Sequence, residues 1–137
     1  MNLVIEHIGG YCPVQAEGTV DGVPFYFRAR HQRWQFAIGY DPVGVLLGWA
    51  EGFYRQAPLV HAGWISVEEA KIIIEACVHE CHIISKLREL DTHTQNCPQC
   101  KKALSGRCAG TTIETILEQR CGQGKQIARE VLKENER

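Results

Sequence analysis

Residues 14–38 alternate apolar and polar side chains with a period of two, and two short polar breaks interrupt the alternation. The first break is Asp21-Gly22, a two-residue hairpin signal because a type I′ turn needs positive φ at both central positions. A turn there pairs Val20 with Val23, Gly18 with Phe25, Ala16 with Phe27 and Val14 with Ala29. The second break, His31-Gln32, pairs Arg30 with Arg33, Arg28 with Gln35, Phe27 with Phe36 and Phe25 with Ile38. The two registers agree. One face collects Val14, Ala16, Gly18, Phe25, Phe27, Ala29, Trp34, Phe36 and Ile38. The other collects Gln15, Glu17, Tyr26, Arg28, Arg30, Arg33 and Gln35, with the turn-flanking Val20 and Val23 assigned to it. Leu3-Val4-Ile5 supplies a candidate further edge strand.

Beyond Ile38 the period is lost. Turns at Tyr40-Asp41-Pro42 and at Pro58, with Gly44, Gly48 and Gly52 between them, read as a loop over the sheet edge with room for one short strand. Period 3.6 then takes over. Ser66-Val67-Glu68-Glu69 is a capping box with Ile65 as its staple. Val67, Ala70, Ile73, Ile74, Cys77, Val78, Cys81, Ile84 and Leu87 mark the apolar stripe of a helix reaching about Leu90. That stripe covers the aromatic face of the sheet. Residues 91–96 read as a polar linker. A short helix from Thr111 to about Arg120 follows, Gly122-Gln123-Gly124 interrupts it, and a last helix spans Lys125 to Asn135. The expected fold is α+β: a three- to four-stranded antiparallel sheet packed on one long helix (residues 1–90), then a small Cys-rich helical module (91–137).

Composition narrows the class. With 137 residues, 45% hydrophobic and 23% charged, the chain has the make-up of a globular protein. A net charge of −1 removes any global attraction to nucleic acid or membrane. No apolar run reaches the roughly 20 residues that span a bilayer, and Glu6 and His7 arrive too early for a secretory leader. A cytoplasmic location is expected. The C-terminal stretch 86–137 carries ten basic against seven acidic residues, a mild positive bias.

Seven cysteines, an odd number, do not form a complete disulfide set. Cys97-Pro98-Gln99-Cys100 has instead the spacing of a metal knuckle: two thiolates three positions apart, bent by proline and followed by Lys101-Lys102. His93 and Cys108 lie four residues before it and eight after it. His93, Cys97, Cys100 and Cys108 give Zn²⁺ four N/S ligands and leave no open position, so the expected cofactor is structural zinc. Two rivals stay open. Cys121 is a competing fourth ligand, set back by a helix of about nine residues that would hold it roughly 15–20 Å from Cys108. The other joins Cys77 and Cys81, one helical turn apart, to Cys97 and Cys100 through a chain reversal within fifteen residues.

His79, His82 and Glu75 share a side of the long helix. However, His79-Glu80-Cys81-His82 is one residue short of the zinc-protease spacing, and solvated helix surface is the simpler reading. No nucleophile elbow, phosphate loop or dinucleotide fingerprint occurs, so the chain reads as non-enzymatic. A Cys–His pair formed only in space stays open. On the polar sheet face, Tyr26, Arg28, Arg30 and Arg33 project together. Adjacent arginines repel one another and suit an anionic partner, against the alternative of a solvated face balanced by Glu17. Trp49, Phe53, Tyr54 and Trp64 serve either as a contact patch or as the lid of the core, the latter being the commoner use.

The run Gly10-Tyr11-Cys12-Pro13-Val14 through Thr19-Val20-Asp21-Gly22-Val23-Pro24-Phe25-Tyr26-Phe27-Arg28-Ala29-Arg30, with Trp34, Gly63-Trp64 and Glu68-Glu69, resembles a group of small bacteriophage and prophage proteins to which no activity is assigned. The resemblance covers about residues 10–75 and leaves out the cysteine-rich tail. It implies a binding role: inhibition or sequestration of a bacterial host protein, a defence-system component among them, or of its anionic ligand. The alternative is a nucleic-acid- or nucleotide-binding regulator using the knuckle with Lys101, Lys102 and Arg107. A metal-dependent hydrolase on His79 and His82 is the third class.

Overall fold

Two tight reversals set the sheet. Asp21 and Gly22 both adopt positive φ (51° and 82°), and so do His31 and Gln32 (54° and 60°). These are the type I′ geometries whose twist matches that of the strands they join. Gln32 holds this conformation without the steric freedom of glycine. The computed structural model describes residues 2–10, 13–104 and 117–135. Within them the sheet runs β1 (Leu3–Gly9), β2 (Val14–Val20), β3 (Val23–Arg30), β4 (Arg33–Ile38) and β5 (Phe53–Pro58). The five strands lie in sequence order, all antiparallel. Every pair expected across the two hairpins is present.

Val20 and Val23 correct the face assignment. Val20 shares the parity of Val14, Ala16 and Gly18, and it is buried in the core with Val23 packed against it. Alternation continues to the last residue before a two-residue turn, so a turn-flanking valine keeps the face of its strand. β1 completes the edge with a bulge: Ile5 faces Gly18 and His7 faces Glu17, leaving Glu6 as the extra residue.

The strand count is five because residues 40–64 hold more structure than a loop. Asp41 caps a short helix, α1 (Pro42–Leu47), by accepting from the Gly44 N–H at 3.1 Å, and Pro42 sits in its first turn. β5 then pairs with β4 along its full length. Its pattern is masked by Arg55, which occupies an inward position opposite Phe36. That charge is tolerated at the sheet edge because its guanidinium lies 4.8 Å from the Phe53 ring centroid and 2.6 Å from Glu80. A single 3-10 turn at Ala62–Trp64 leads into α2 (Val67–Asn96).

At the start of α2, Ser66 Oγ accepts from the Glu69 N–H at 3.1 Å. The Glu69 carboxyl is held below its ordinary range, first by His61 at 3.0 Å and also by the Ser66 N–H. Ala70, Ile74, Cys77 and Val78 are buried against Phe25, Phe27, Phe36 and Ala29 of the sheet. Phe25 stacks on Phe36 at 5.6 Å. Burial pushes the Cys77 thiol up to about 12, which makes it a small apolar core residue and an inert one.

Residues 91–96 are helix, not linker: α2 continues without a break to Asn96. Thr94 and Asn96 turn their side chains back onto the carbonyls of Leu90 and Thr92, at 2.7 and 2.9 Å. Their polar groups are thereby satisfied inside the helix. α3 (Pro98–Leu104) follows, and α4 (Gly122–Asn135) closes the described chain. The segment Gly122–Gly124 is the first turn of α4, not an interruption. The chain divides into two compact units, Met1–Cys81 and His82–Arg137. The first holds the sheet and its hydrophobic core.

Candidate metal centre

Three helix ends build the site within the second unit. His93 stands in the last turn of α2, and Cys97 follows directly after its last residue. Pro98 then opens α3, whose first turn carries Cys100. The Lys101 N–H donates to the Cys97 carbonyl at 2.9 Å, so the knuckle is the N-terminal turn of a helix. Cys121 immediately precedes α4. Its carbonyl accepts from Lys125 N–H at 2.9 Å, and its sulfur accepts from Gly124 N–H at 3.3 Å. A cysteine thus stands where a Ser or Asp would cap the helix.

The donor atoms of His93, Cys97, Cys100 and Cys121 all lie within 4.8 Å of one another. His93 Nε2 is 3.0 Å from Cys121 Sγ, and Cys121 Sγ is 3.5 Å from Cys100 Sγ. Metal–sulfur bonds of about 2.3 Å in a tetrahedral site place donor atoms roughly 3.5–4 Å apart. The observed set needs only small side-chain movements to reach that geometry. Four N/S ligands fill a tetrahedron and leave no position for water or substrate. The group can therefore hold a metal ion.

Electrostatics favour the thiolate at Cys121 and oppose it at Cys100. The Cys121 thiol is drawn down to about 6, chiefly by the Gly124 N–H and then by His93. Cys100 is fully buried, and burial raises its thiol. Thiolate is the coordinating species, so the sulfur at the head of α4 is the one most readily offered to an ion. Buried Arg120, next to Cys121, donates from its guanidinium to Thr94 Oγ1 at 2.9 Å. This bond ties the residue before the fourth ligand to the helix that carries the first. Three thiolates and a neutral imidazole around a divalent ion leave a net charge of −1, and the Arg120 cation adjoins it in the chain.

Three of the four sequence-derived ligands, His93, Cys97 and Cys100, come together. Cys108 lies outside the described residues, and Cys121 occupies the fourth place. Chain separation from Cys108 does not bear on the distance between Cys121 and His93, because His93 belongs to α2. Gly124 is the signal that marks Cys121: a Cβ there would lie 2.5 Å from Cys100 Sγ and 3.4 Å from the His93 ring. Only glycine lets the start of α4 approach the sulfurs so closely. Among the described residues Cys77 and Cys81 join no metal-binding group: Cys77 is buried in the core of the first unit and Cys81 packs against that core. Among the described residues His79, His82 and Glu75 form no metal-binding group.

On the outer sheet face the expected arginines do stand side by side, with Arg30 directly opposite Arg33. Arg28 Nε donates to Gln35 Oε1 at 2.8 Å, and Gln35 in turn donates to the Tyr54 hydroxyl at 2.9 Å. That hydroxyl donates to Gln56 Oε1 at 3.0 Å, which also faces Arg33 at 3.5 Å. This chain of amides satisfies buried Gln35 and fixes Arg28. None of the three arginines forms an ion pair among the described residues, with Glu17 or otherwise. Tyr26 is drawn away from them onto Ala37, Val45 and Leu46. Of the loop aromatics, Phe53 joins the core, Tyr54 enters the amide chain, and Trp49 and Trp64 are exposed.

Fold and site together define an α+β protein with a Cys/His cluster that can hold a metal ion. Comparison with family models, with curated proteins and with solved structures finds no match to this chain. Among the described residues no helix is long and apolar enough to cross a membrane.

Proposed function

We propose that this chain is a non-catalytic binding protein whose C-terminal unit is ordered by structural Zn²⁺. The carrying observation is the convergence of one imidazole and three sulfurs within 4.8 Å, a complete ligand set with no vacancy for chemistry. Zinc is the ion that best suits three thiolates and an imidazole in tetrahedral array. Among the described residues of this unit, the buried apolar side chains are Cys100, Ile127 and Ala128. A metal bound by this ligand set would add its binding free energy to the stability of the unit. Elemental analysis of the purified chain should find one zinc per chain, and chelation should remove helical circular dichroism along with the ion. A metal-free chain with the same helicity would refute this reading.

The partner is proposed to be a protein of a bacterial host, in keeping with the phage-like resemblance of residues 10–75, or the anionic ligand of such a protein. Support for an anion comes from Arg30 and Arg33. Like charges directly opposed across two strands are unfavourable unless something neutralises them. Binding to a polyphosphate or an oligonucleotide should weaken steeply as salt rises. Replacing Arg30 and Arg33 with Gln should flatten that slope by about two charges. A slope unchanged in the double variant would take these arginines out of any anion site.

A further inference from the structure

Helix α1 has no polar side chain: it reads Pro42, Val43, Gly44, Val45, Leu46, Leu47. Val45 and Leu46 are buried with Ala37 against the sheet, and Tyr26 and Tyr54 pack beside them. Val43 and Leu47, one turn apart, face outward at 47% and 50% exposure. Tyr40 and Trp49 flank the helix at 90% and 72%. A helix apolar on every side is ordinarily covered on every side. Four large apolar residues around one short helix, left in water, mark a contact surface.

Val43 belongs to a second feature as well. Together with Pro24, Tyr26 and Pro42 it walls a groove of about 290 Å³ on the outer sheet face, and Glu6 and Glu17 stand at its rim. Glu6 is there because it is the bulged residue of β1, and bulges re-aim side chains. Neither carboxylate has an ion pair or side-chain hydrogen bond among the described residues. Two solvated carboxylates beside a tyrosine ring, with proline and valine walls, suit a Lys or Arg side chain. The aliphatic stem lies on the apolar wall, and the cationic head meets the carboxylates and the ring.

We propose that α1 and the adjoining groove form a docking surface for a protein segment that carries a Lys or Arg next to a large apolar residue. The cation enters the Glu6–Glu17 groove, and the apolar neighbour covers Val43 and Leu47. The proposal rests on the binding role proposed above and names the chemistry of the partner. It uses only the Met1–Cys81 unit, so it stands apart from the metal centre.

The test is a display library of random linear peptides, panned on the full chain as purified. Binding is then compared with a Glu6→Gln/Glu17→Gln double variant and with Val43→Asp. Enriched peptides should place Lys or Arg beside Leu, Ile, Phe or Trp. They should bind the double variant about tenfold more weakly, the sum of two rim charges. They should not bind Val43→Asp, and they should weaken with salt. Melting temperature and metal content, measured on the same preparations, should not change in either variant, which separates failure here from failure of the zinc reading. Peptides without cationic enrichment, or peptides that bind the variants as they bind the parent, would overturn the proposal. So would self-association abolished by Val43→Asp, which would assign the surface to a second copy of the chain.

Discussion

Replacing Cys100 with Ser should empty the metal centre and unfold the second unit while leaving the first intact. Cys100 is fully buried, and its sulfur lies 3.5 Å from Cys121 Sγ. A serine hydroxyl stays protonated at neutral pH, so it is a poor ligand for a divalent ion where a thiolate is a good one. Structural zinc contributes about 10–16 kcal/mol of apparent binding energy in small zinc modules, as much as the whole stability of an ordinary domain. Hydrogen exchange should show protection lost in α3 and α4, together with a zinc content well below one per chain. Amides of β2, β3 and β4 should keep their protection. Gly124→Ala offers a milder version of the same experiment. The new Cβ would stand 2.5 Å from Cys100 Sγ, so either the sulfur or the helix must move. Metal affinity should fall by about 10–100-fold, the usual effect of disturbing the shell that orients ligands. Full zinc occupancy and unchanged protection in Cys100→Ser would show that the cluster is a packing arrangement of thiols and not a metal centre.

Phe27→Ala should produce the largest loss in the first unit. Phe27 is fully buried on the central strand β3, paired with Ala16 on one side and Phe36 on the other. Its ring centroid is 6.5 Å from that of Trp34. The small neighbour Ala16 and the rigid strand backbone leave little that can collapse into the vacated space. Truncation should therefore cost about 3–5 kcal/mol, a large share of the roughly 5–15 kcal/mol that holds a domain together. Urea unfolding followed by tryptophan emission should show a lower midpoint at an unchanged slope. Trp49→Ala supplies the contrast: that side chain is larger but exposed, and its loss should stay within about 0.5 kcal/mol. Equal effects from the two substitutions would mean that the sheet face does not form the core as described.

These outcomes depend on features that were legible in the sequence to different degrees. The hairpins at Asp21-Gly22 and His31-Gln32, with every pair across β2, β3 and β4, follow from local turn chemistry and strict alternation. Both signals are short in range and need no knowledge of the rest of the chain. The Ser66 cap and the buried stripe from Ala70 to Val78 are legible for the same reason. The knuckle Cys97-Pro98-Gln99-Cys100 and its upstream His93 are likewise written within eight residues.

What the tertiary structure decided is wherever a neighbour distant in sequence overrides the local signal. β5 escapes the pattern because Arg55 takes an inward place that Phe53 and Glu80 make tolerable. Residues 91–96 look like a linker, yet they stay helical: Thr94 is anchored by Arg120, which is 26 positions away. Gly122–Gly124 resembles a break but starts α4, and Gly124 answers to the sulfur of Cys100 and not to helix propensity. The place of Cys121 in the cluster follows from that same packing. Local sequence determined the hairpins, the cap and the knuckle, because hydrogen bonds and steric limits between near neighbours suffice for them. The fifth strand and the place of Cys121 beside His93 and Cys100 depend on which distant side chains meet, and only the folded chain brings those together.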